Sequence, residues 1–370
     1  MTGTVIYVGN FELPDKNAAA HRVVNNARLF RSLGLDTVFL GTSRADGYFD
    51  GYRKTENGFG FDMYERCYPR SFSVWARQIL DVGDIVSLAK NYPDTVAVIT
   101  YNTQYATAAA AKRAFAPKGV KVIYDCTEWN SRTEGNAVKR AVKAADSKLI
   151  ENRLPRACDG IIAVSTLMEK KYAGSVPLLL LPPLVDTEDG IWRQPKAERD
   201  RFTFCYAGSP ADKDRLDILI NCAGTLPEDK TELRVIGVSR EEYTGEDVPG
   251  NVTFLGRLPH RETVREISGC GCFVFLREPT RRNTAGFPTK FAEAFTCGVP
   301  IITTDVSDIA LYADEGCTVL KDISTDSVRA AMAAALSSPA APAALRRAFD
   351  FRSRADACRA WFERITCSKE

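Results

Sequence analysis

The chain has 370 residues, enough for two domains of about 180 residues each. Hydrophobic residues make up 45% and charged residues 26%, the composition of a soluble globular protein. The net charge of +2 argues against a dedicated nucleic-acid-binding protein, and the longest aliphatic run, Leu178–Leu181, is too short to span a bilayer. Eleven scattered cysteines with only two histidines argue against structural zinc and favour a reducing compartment. The N-terminus leads directly into an apolar segment, so we expect a cytoplasmic protein without a signal peptide.

Short apolar segments of strand type alternate with helical segments through the first half of the chain. The predicted strands are Thr4–Val8, Thr37–Gly41, Thr95–Tyr101, Lys121–Asp125 and Gly160–Val164. The predicted helices are Ala18–Leu33, Ser71–Asn91, Thr103–Phe115 and Ala137–Cys158. This alternation predicts a parallel sheet covered by helices on both faces.

The loops after these strands are where ligands of parallel sheets bind. The loop after the first strand lacks the Gly-x-Gly-x-x-Gly spacing of dinucleotide-binding proteins, but its small residues allow a ligand to approach the backbone of the next helix. Asp125 ends the fourth strand and Glu128 and Trp129 follow it, and two carboxylates with an indole suit sugar recognition. Helix capping by Asp125 or Thr127 is the alternative interpretation.

The basic residues are concentrated in one segment. Residues 1–185 carry a net charge of +6 and residues 186–370 a net charge of −4. The excess lies in Arg132, Lys139, Arg140, Lys143, Lys148, Arg153 and Arg156. This segment is either a solvated helix face or a surface that meets an anionic membrane or a phosphate-bearing acceptor.

A second strand–helix series begins after Pro182 and Pro183, which are typical of a hinge. Its predicted strands are Phe202–Ala207, Glu232–Ile236, Asn251–Leu255, Cys272–Leu276 and Pro300–Thr304. Its predicted helices are Asp212–Gly224, Arg261–Ser268, Thr289–Cys297 and Thr325–Leu336, and the amphipathic pattern of Ala343–Ile365 predicts a final helix.

The segment 285–300 is the most informative part of the sequence. It reads as a loop that turns at Gly286 and Pro288 into a short helix, with Thr289 as the predicted N-cap. The backbone amides and the positive dipole of a helix N-terminus bind anions, and Lys290 adds a charge there. Glu293 lies one turn further on. A pyrophosphate on the amides with a carboxylate for sugar hydroxyls is the chemistry of a nucleotide-sugar site.

This segment resembles the donor-binding signature of family 4 glycosyltransferases, which are retaining enzymes with the GT-B fold. A bacterial subset of that family reads Ala-Gly-Phe-Pro-Thr-Lys-Phe at this point, as residues 285–291 do here. Glu293 matches the second of the family's two glutamates, whereas Ala285 replaces the first, which commonly contacts the transferred sugar. The resemblance, which covers most of the chain, implies an α/β protein with two Rossmann-like domains facing across a cleft. They would be an acceptor-side domain, 1–185, and a nucleotide-sugar-binding domain, 186–344, with 345–370 crossing back to the first.

The same resemblance assigns roles to individual residues. Lys213 and Lys290 would neutralise the leaving diphosphate, and Asp125 and Glu128 would act at the sugar. The donor-binding residues would be Gly208, Ser209, Arg257, Arg282, Gly286, Phe287, Pro288, Thr289 and Glu293. The acceptor-side residues would be Asn17, His21, Arg22 and Trp129, although His21 also fits a surface or core histidine. Many family members have an arginine where this chain has Ser209, and Arg277, Arg281 or Arg282 could replace it.

The expected function is retaining transfer of a sugar from a nucleotide-diphosphate sugar, with a UDP-sugar favoured. The expected acceptor is a glycan or lipid-linked molecule in bacterial surface polysaccharide synthesis, met at the inner face of an anionic membrane. No cofactor, metal or nucleic acid is expected. Two alternatives stay open: a GT-B-fold nucleotide-sugar epimerase, and a non-catalytic nucleotide-sugar-binding subunit, which Ala285 would permit.

Overall fold

The computed structural model describes residues 1–44, 48–55, 59–129, 137–195, 199–209, 214–245, 247–339 and 344–367. The chain divides into two compact units. Unit 1 comprises Met1–Leu184 and Phe351–Glu370, and unit 2 comprises Val185–Asp350. Residues 345–350 therefore belong to unit 2, whereas the sequence had assigned them to the segment that packs on the first domain.

Unit 1 is built on an eight-stranded sheet in the order β3-β4-β2-β1-β5-β6-β7-β8. Its strands are β1 Gly3–Gly9, β2 Leu35–Ser43, β3 Tyr52–Lys54, β4 Asp62–Cys67, β5 Thr95–Tyr101, β6 Lys121–Cys126, β7 Gly160–Ala163 and β8 Leu178–Leu180. Its first helices are α1 Ala18–Ser32, α2 Phe72–Leu80, α3 Gly83–Ala89, α4 Tyr105–Phe115, α5 Ala137–Arg153 and α6 Thr166–Tyr172. All pairs are parallel except β3 with β4.

Unit 2 contains a six-stranded parallel sheet in the order β11-β10-β9-β12-β13-β14. Its strands are β9 Phe202–Ala207, β10 Thr231–Ile236, β11 Val252–Gly256, β12 Cys272–Phe275, β13 Ile301–Thr304 and β14 Cys317–Leu320. Its helices are α7 Leu216–Ala223, α8 His260–Ser268, α9 Arg281–Ala285, α10 Thr289–Thr296, α11 Ile309–Tyr312 and α12 Thr325–Ser337. Together the units confirm the predicted two-domain α/β architecture.

The last helix, α13 Ala355–Cys367, returns to unit 1. Trp361 and Phe362 are buried in the core of that unit, and the Trp361 indole donates to the carbonyl of Pro177 at 3.0 Å. The prediction of a helix that crosses back is confirmed, but the helix starts twelve residues later than Ala343. The reason is Phe349, which lies in unit 2 and packs against Phe287 and Tyr312 instead of continuing a helix.

Helices cover both faces of the unit 1 sheet at its central strand β1, and α1 packs on one of these faces. Val5 and Tyr7 of β1 face the cluster that contains α1 and α13, whereas Ile6 and Val8 face the cluster that contains α3 and α4. This alternation buries both faces of the central strand.

The predicted helix Ser71–Asn91 is two helices. Ser71 caps α2 by accepting from the amide of Val74 at 3.3 Å, and α2 ends at Leu80, followed by the C-cap residue Asp81 with an extended backbone. The Asp81 carboxylate then accepts from the amide of Gly83 at 2.8 Å, so its side chain starts α3. A short polar side chain that bonds the local backbone competes with the helix, which explains the break.

Candidate nucleotide-sugar site

The start of α10 lies in unit 2, where the sequence predicts the donor site. Pro288 occupies the N-cap position, with no side-chain capping bond, and Thr289 is the first helical residue. Thr289 is therefore not the N-cap, and the prediction was wrong by one residue. Because proline has no side-chain acceptor, the first amides of α10 depend on other partners.

The residues before α10 are packed rather than open. Phe287 is 8% exposed and contacts the rings of Phe291, Tyr312 and Phe349. The amide of Gly286 donates to the carbonyl of Arg282 at 3.1 Å and closes α9. Ala285 is completely buried, so a carboxylate at the position of the family's first glutamate would lie in the interior of unit 2.

Lys290 and Glu293 form an ion pair one turn apart on α10. Lys290 Nζ lies 2.6 Å from Glu293 Oε2, and His260 Nε2 of α8 lies 3.3 Å from Glu293 Oε1. The Glu293 side chain is 3% exposed, whereas that of Lys290 is 28% exposed. A buried carboxylate held from both sides fixes the position of a lysine that still reaches solvent. The sequence analysis missed His260 as a partner of Glu293. The two residues are 33 positions apart, and nothing in the sequence around His260 indicates the contact.

The loops that follow β9, β10 and β11 are joined through their backbones. Gly208 donates to the carbonyl of Ile236, and Gly237 donates to the carbonyl of Gly256 at 2.7 Å. Gly237 has a φ of +96°, and a Cβ there would lie 2.2 Å from the Gly208 carbonyl oxygen. Only glycine fits such an approach.

The side chains beside these loops are open to solvent. Ser209 is exposed, and the Arg257 side chain is 80% exposed. Arg257 Nη2 lies 3.8 Å from Glu242 Oε1. Lys213, the other predicted cation of the diphosphate site, lies outside the described residues.

Arg277, one of the arginines predicted to replace the missing cation, forms an ion pair with Asp214. Its Nε lies 2.7 Å from Asp214 Oδ1, and Tyr206 donates to Asp214 Oδ2 at 2.8 Å. Burial and the Asp214 carboxylate raise the pKa of Tyr206 well above its ordinary value, so the phenol remains a donor. Of the other two predicted replacements, Arg282 is half-buried and Arg281 is exposed.

In unit 1, Asp125 is completely buried and already bound. Arg22 donates to it from Nη2 at 2.8 Å and from Nε at 3.1 and 3.2 Å, and Tyr7 and Asn26 donate to Oδ2. Burial and Asp125 raise the pKa of Tyr7 well above its ordinary value. Burial lowers the pKa of Arg22, but Asp125 together with Tyr7 and Tyr101 raises it, and the net shift is upward, so the guanidinium keeps its charge. Contact of Asp125 with a sugar hydroxyl, or of Arg22 with an acceptor, does not fit these surroundings.

The remaining residues predicted in unit 1 differ in exposure. Asn17 accepts from the amide of Ala20 at 2.9 Å and caps α1, so its side chain is used locally. His21 and Glu128 are half-buried. Trp129 is 8% exposed. Glu128 is therefore the one of the two predicted carboxylates that solvent reaches.

The basic segment lies largely on α5. Arg140, Lys148, Arg153 and Arg156 are exposed, and Lys143 is half-buried. Arg132 and the Lys139 side chain lie outside the described structure.

Two absences hold for the part of the chain that the structure describes. No helix there has the length and apolar character needed to cross a bilayer. The described side chains also form no cluster of three or more potential metal ligands.

Residues 201–338 match the family model described as glycosyl transferases group 1. The whole chain is similar in fold to sucrose-phosphate synthase from Thermosynechococcus elongatus, with a TM-score of 0.75, 12% identity and 100% of both chains covered. It is also similar to HepE from Anabaena in complex with UDP and glucose, with a TM-score of 0.67, 12% identity, and 98% of this chain and 99% of that chain covered. A glycosyltransferase from Rickettsia africae gives a TM-score of 0.67 at 11% identity, with 100% of both chains covered.

No curated protein matches the sequence. The matched region contains α10 and the three joined loops, and at these identities the solved structures show the fold. The family match covers residues 201–338, and the whole-chain similarity shows a GT-B fold.

Proposed function

We propose that the protein is a retaining glycosyltransferase that takes a sugar from a UDP-sugar and passes it to a glycan or lipid-linked acceptor. The observation that carries the proposal is the buried Glu293 held against Lys290 at the start of α10, within the region that matches group 1 glycosyltransferases. UDP is favoured because HepE is described in complex with UDP, with UDP and glucose, and with UDP-glucose.

The donor diphosphate would bind at the N-terminus of α10. The first amides of a helix lack intrahelical acceptors, and the helix dipole favours an anion there. Lys290 would contribute its ammonium group as a donor to the diphosphate, aimed by its bond to Glu293. The Glu293 carboxylate, which unlike that of Asp125 keeps some exposed surface at 3%, would in turn accept from ribose hydroxyls beside its bonds to Lys290 and His260.

The chemical step requires the nucleotide diphosphate to leave while the sugar becomes positively charged. Fixed cations and amides stabilise the charge that develops on the leaving phosphate without reorganising. Lys290 and Lys213 would supply the cations and Arg282 a third, which makes the reaction independent of a metal. Retention without a covalent nucleophile is what the family 4 resemblance implies.

The acceptor would bind to unit 1. Glu128 is the accessible carboxylate of the predicted sugar-recognition group, beside Trp129. The exposed cations of α5 suit an anionic membrane that carries a lipid-linked acceptor in bacterial surface polysaccharide synthesis. Charge reversal at Arg140, Lys143 and Lys148 should then abolish salt-sensitive binding to anionic vesicles.

A donor panel tests the proposal. Purified protein is incubated with UDP-, GDP- and ADP-sugars, with and without short glycans and polyprenyl-diphosphate-linked sugars, and nucleotide release is measured. Transfer predicts acceptor-dependent UDP release that persists in EDTA, and the coupling constant of the product's anomeric proton shows whether configuration is retained. Lys290→Ala should lose this activity, whereas Arg329→Ala, an exposed arginine of α12 paired with Asp326, serves as the control.

The same panel separates the alternatives. An epimerase would change the configuration of the donor sugar without transferring that sugar to an acceptor. A non-catalytic subunit would bind UDP-sugar without turnover. Either result would contradict transferase activity.

A further inference from the structure

Arg66 is a buried arginine near the carboxyl end of β4. Its side chain is 6% exposed, and its Nε is buried without a hydrogen-bond partner in the described part of the chain. Burial lowers the pKa of Arg66, and Asp84 at the start of α3 offsets only part of that effect. Among the described residues no carboxylate lies within ion-pair distance of it. A guanidinium in this position costs free energy unless an anion compensates its charge.

Arg22 shows what a structural arginine looks like in the same unit. It is equally buried, at 6% exposed, but its guanidinium donates to both oxygens of Asp125 and to the carbonyls of Leu181 and Pro182. The fold therefore satisfies one buried arginine completely and leaves the other with unused donors.

The chain segment that begins at Arg66 is basic, and Asp84 is the one charged group that measurably affects Arg66 in the described part of the chain. Ser43 pairs with Cys67, so β2 and β4 end together at the edge of the sheet beyond which ligands bind. Residues 66–80 contain three arginines and no acidic residue. The Gln78 side chain donates to the carbonyl of Cys67 at 3.1 Å, which holds this part of α2 against the end of β4.

We propose that Arg66 is the centre of an oxyanion site in unit 1 whose ligand is a phosphoryl group. The planar fork of a guanidinium binds two phosphate oxygens at once, and Arg70 and Arg77 on the same basic segment suit the second charge of a phosphate monoester. That the phosphoryl group belongs to the acceptor rests on the proposed function; the anion site itself does not.

Thermal unfolding in increasing inorganic phosphate, with ionic strength held constant by chloride, tests the site. Without phosphate, Arg66→Gln should unfold at the same temperature as the wild type or higher, because the substitution removes an uncompensated buried charge. Phosphate should raise the unfolding temperature of the wild type but not of Arg66→Gln. In calorimetry, phosphate should bind the variant at least about tenfold more weakly.

Arg53→Gln is the matched control, because Arg53 lies on the neighbouring strand but is exposed and paired with Glu65 at 2.6 Å. It should keep the wild-type phosphate response. Glucose 6-phosphate and phosphatidylcholine vesicles containing phosphatidylglycerol, used in parallel, distinguish a soluble from a lipid source of the phosphoryl group.

UDP binding is measured separately on the same proteins and should be unchanged in Arg66→Gln. Absence of UDP binding in the wild type would contradict the proposed donor site without affecting the phosphate result. An equal phosphate response in wild type and Arg66→Gln, or a variant that is less stable in phosphate-free buffer, would overturn the proposal and assign Arg66 to the packing of unit 1.

Discussion

We expect replacement of Asp125 with asparagine to lower the stability of unit 1, so that any loss of turnover follows from unfolding rather than from loss of a catalytic group. Asp125 is completely buried and Arg22 is 6% exposed, so Asp125→Asn leaves a guanidinium in the interior without its counter-charge. Breaking a buried ion pair in this way costs about 3–5 kcal/mol. In a unit of this size each kcal/mol lowers the unfolding temperature by about 2–4 °C, so we expect a fall of roughly 6–20 °C.

The measurement is thermal or urea unfolding of the purified variant, read beside its turnover. Glu128→Gln is the internal control, since Glu128 follows the same strand but is only half-buried, and it should unfold like the wild type. A double substitution, Arg22→Met with Asp125→Leu, should recover part of the lost stability, because no charge then remains unpaired. An Asp125→Asn protein with wild-type stability and no activity would refute this reasoning and return Asp125 to the catalytic group.

Three further predictions concern unit 2. Lys290→Ala should lower turnover by roughly 10²–10³ while the protein stays folded, as expected for one oxyanion-stabilising donor; near wild-type turnover would remove Lys290 from the diphosphate site. Glu293→Gln should weaken UDP binding by about 1.5–3 kcal/mol in calorimetry, and unchanged affinity would leave Glu293 a structural role only. Ala285→Glu should not raise turnover and should cost at least about 1–3 kcal/mol of unfolding free energy, because Ala285 has no exposed surface; a more active variant would contradict this, and Ala285→Ser is the conservative comparison.

The sequence predicted most of the regular elements because their apolar patterns are local. Thr95–Tyr101 and Phe202–Ala207 were predicted with the bounds that the structure shows. The strand Asp62–Cys67 was missed, because charged and polar residues interrupt its apolar pattern. The short edge strand Tyr52–Lys54 was missed too, since only its pairing with that strand defines it.

The candidate sites were harder to predict for a different reason. The motif at residues 285–293 is contiguous, so its position at the start of a helix followed from the sequence. The partners that decide what a carboxylate does are distant: Arg22 lies 103 residues from Asp125, and His260 lies 33 residues from Glu293. Burial by long-range partners leaves no trace in a local pattern, so Asp125 and Glu128 looked alike.

The connection between the units has a consequence for how the chain can be divided. The amide of Val185 donates to the carbonyl of Phe349 at 2.9 Å, so the two ends of unit 2 lie side by side. Residues 185–350 could therefore be excised as one continuous piece and closed with a short link. Unit 1 has no such independence, since Trp361 of its core is supplied after residue 350. A deletion from the C-terminus would thus damage unit 1, which begins the chain, whereas exchange of unit 2 between proteins of this fold needs only two junctions, one at each end of the excised piece.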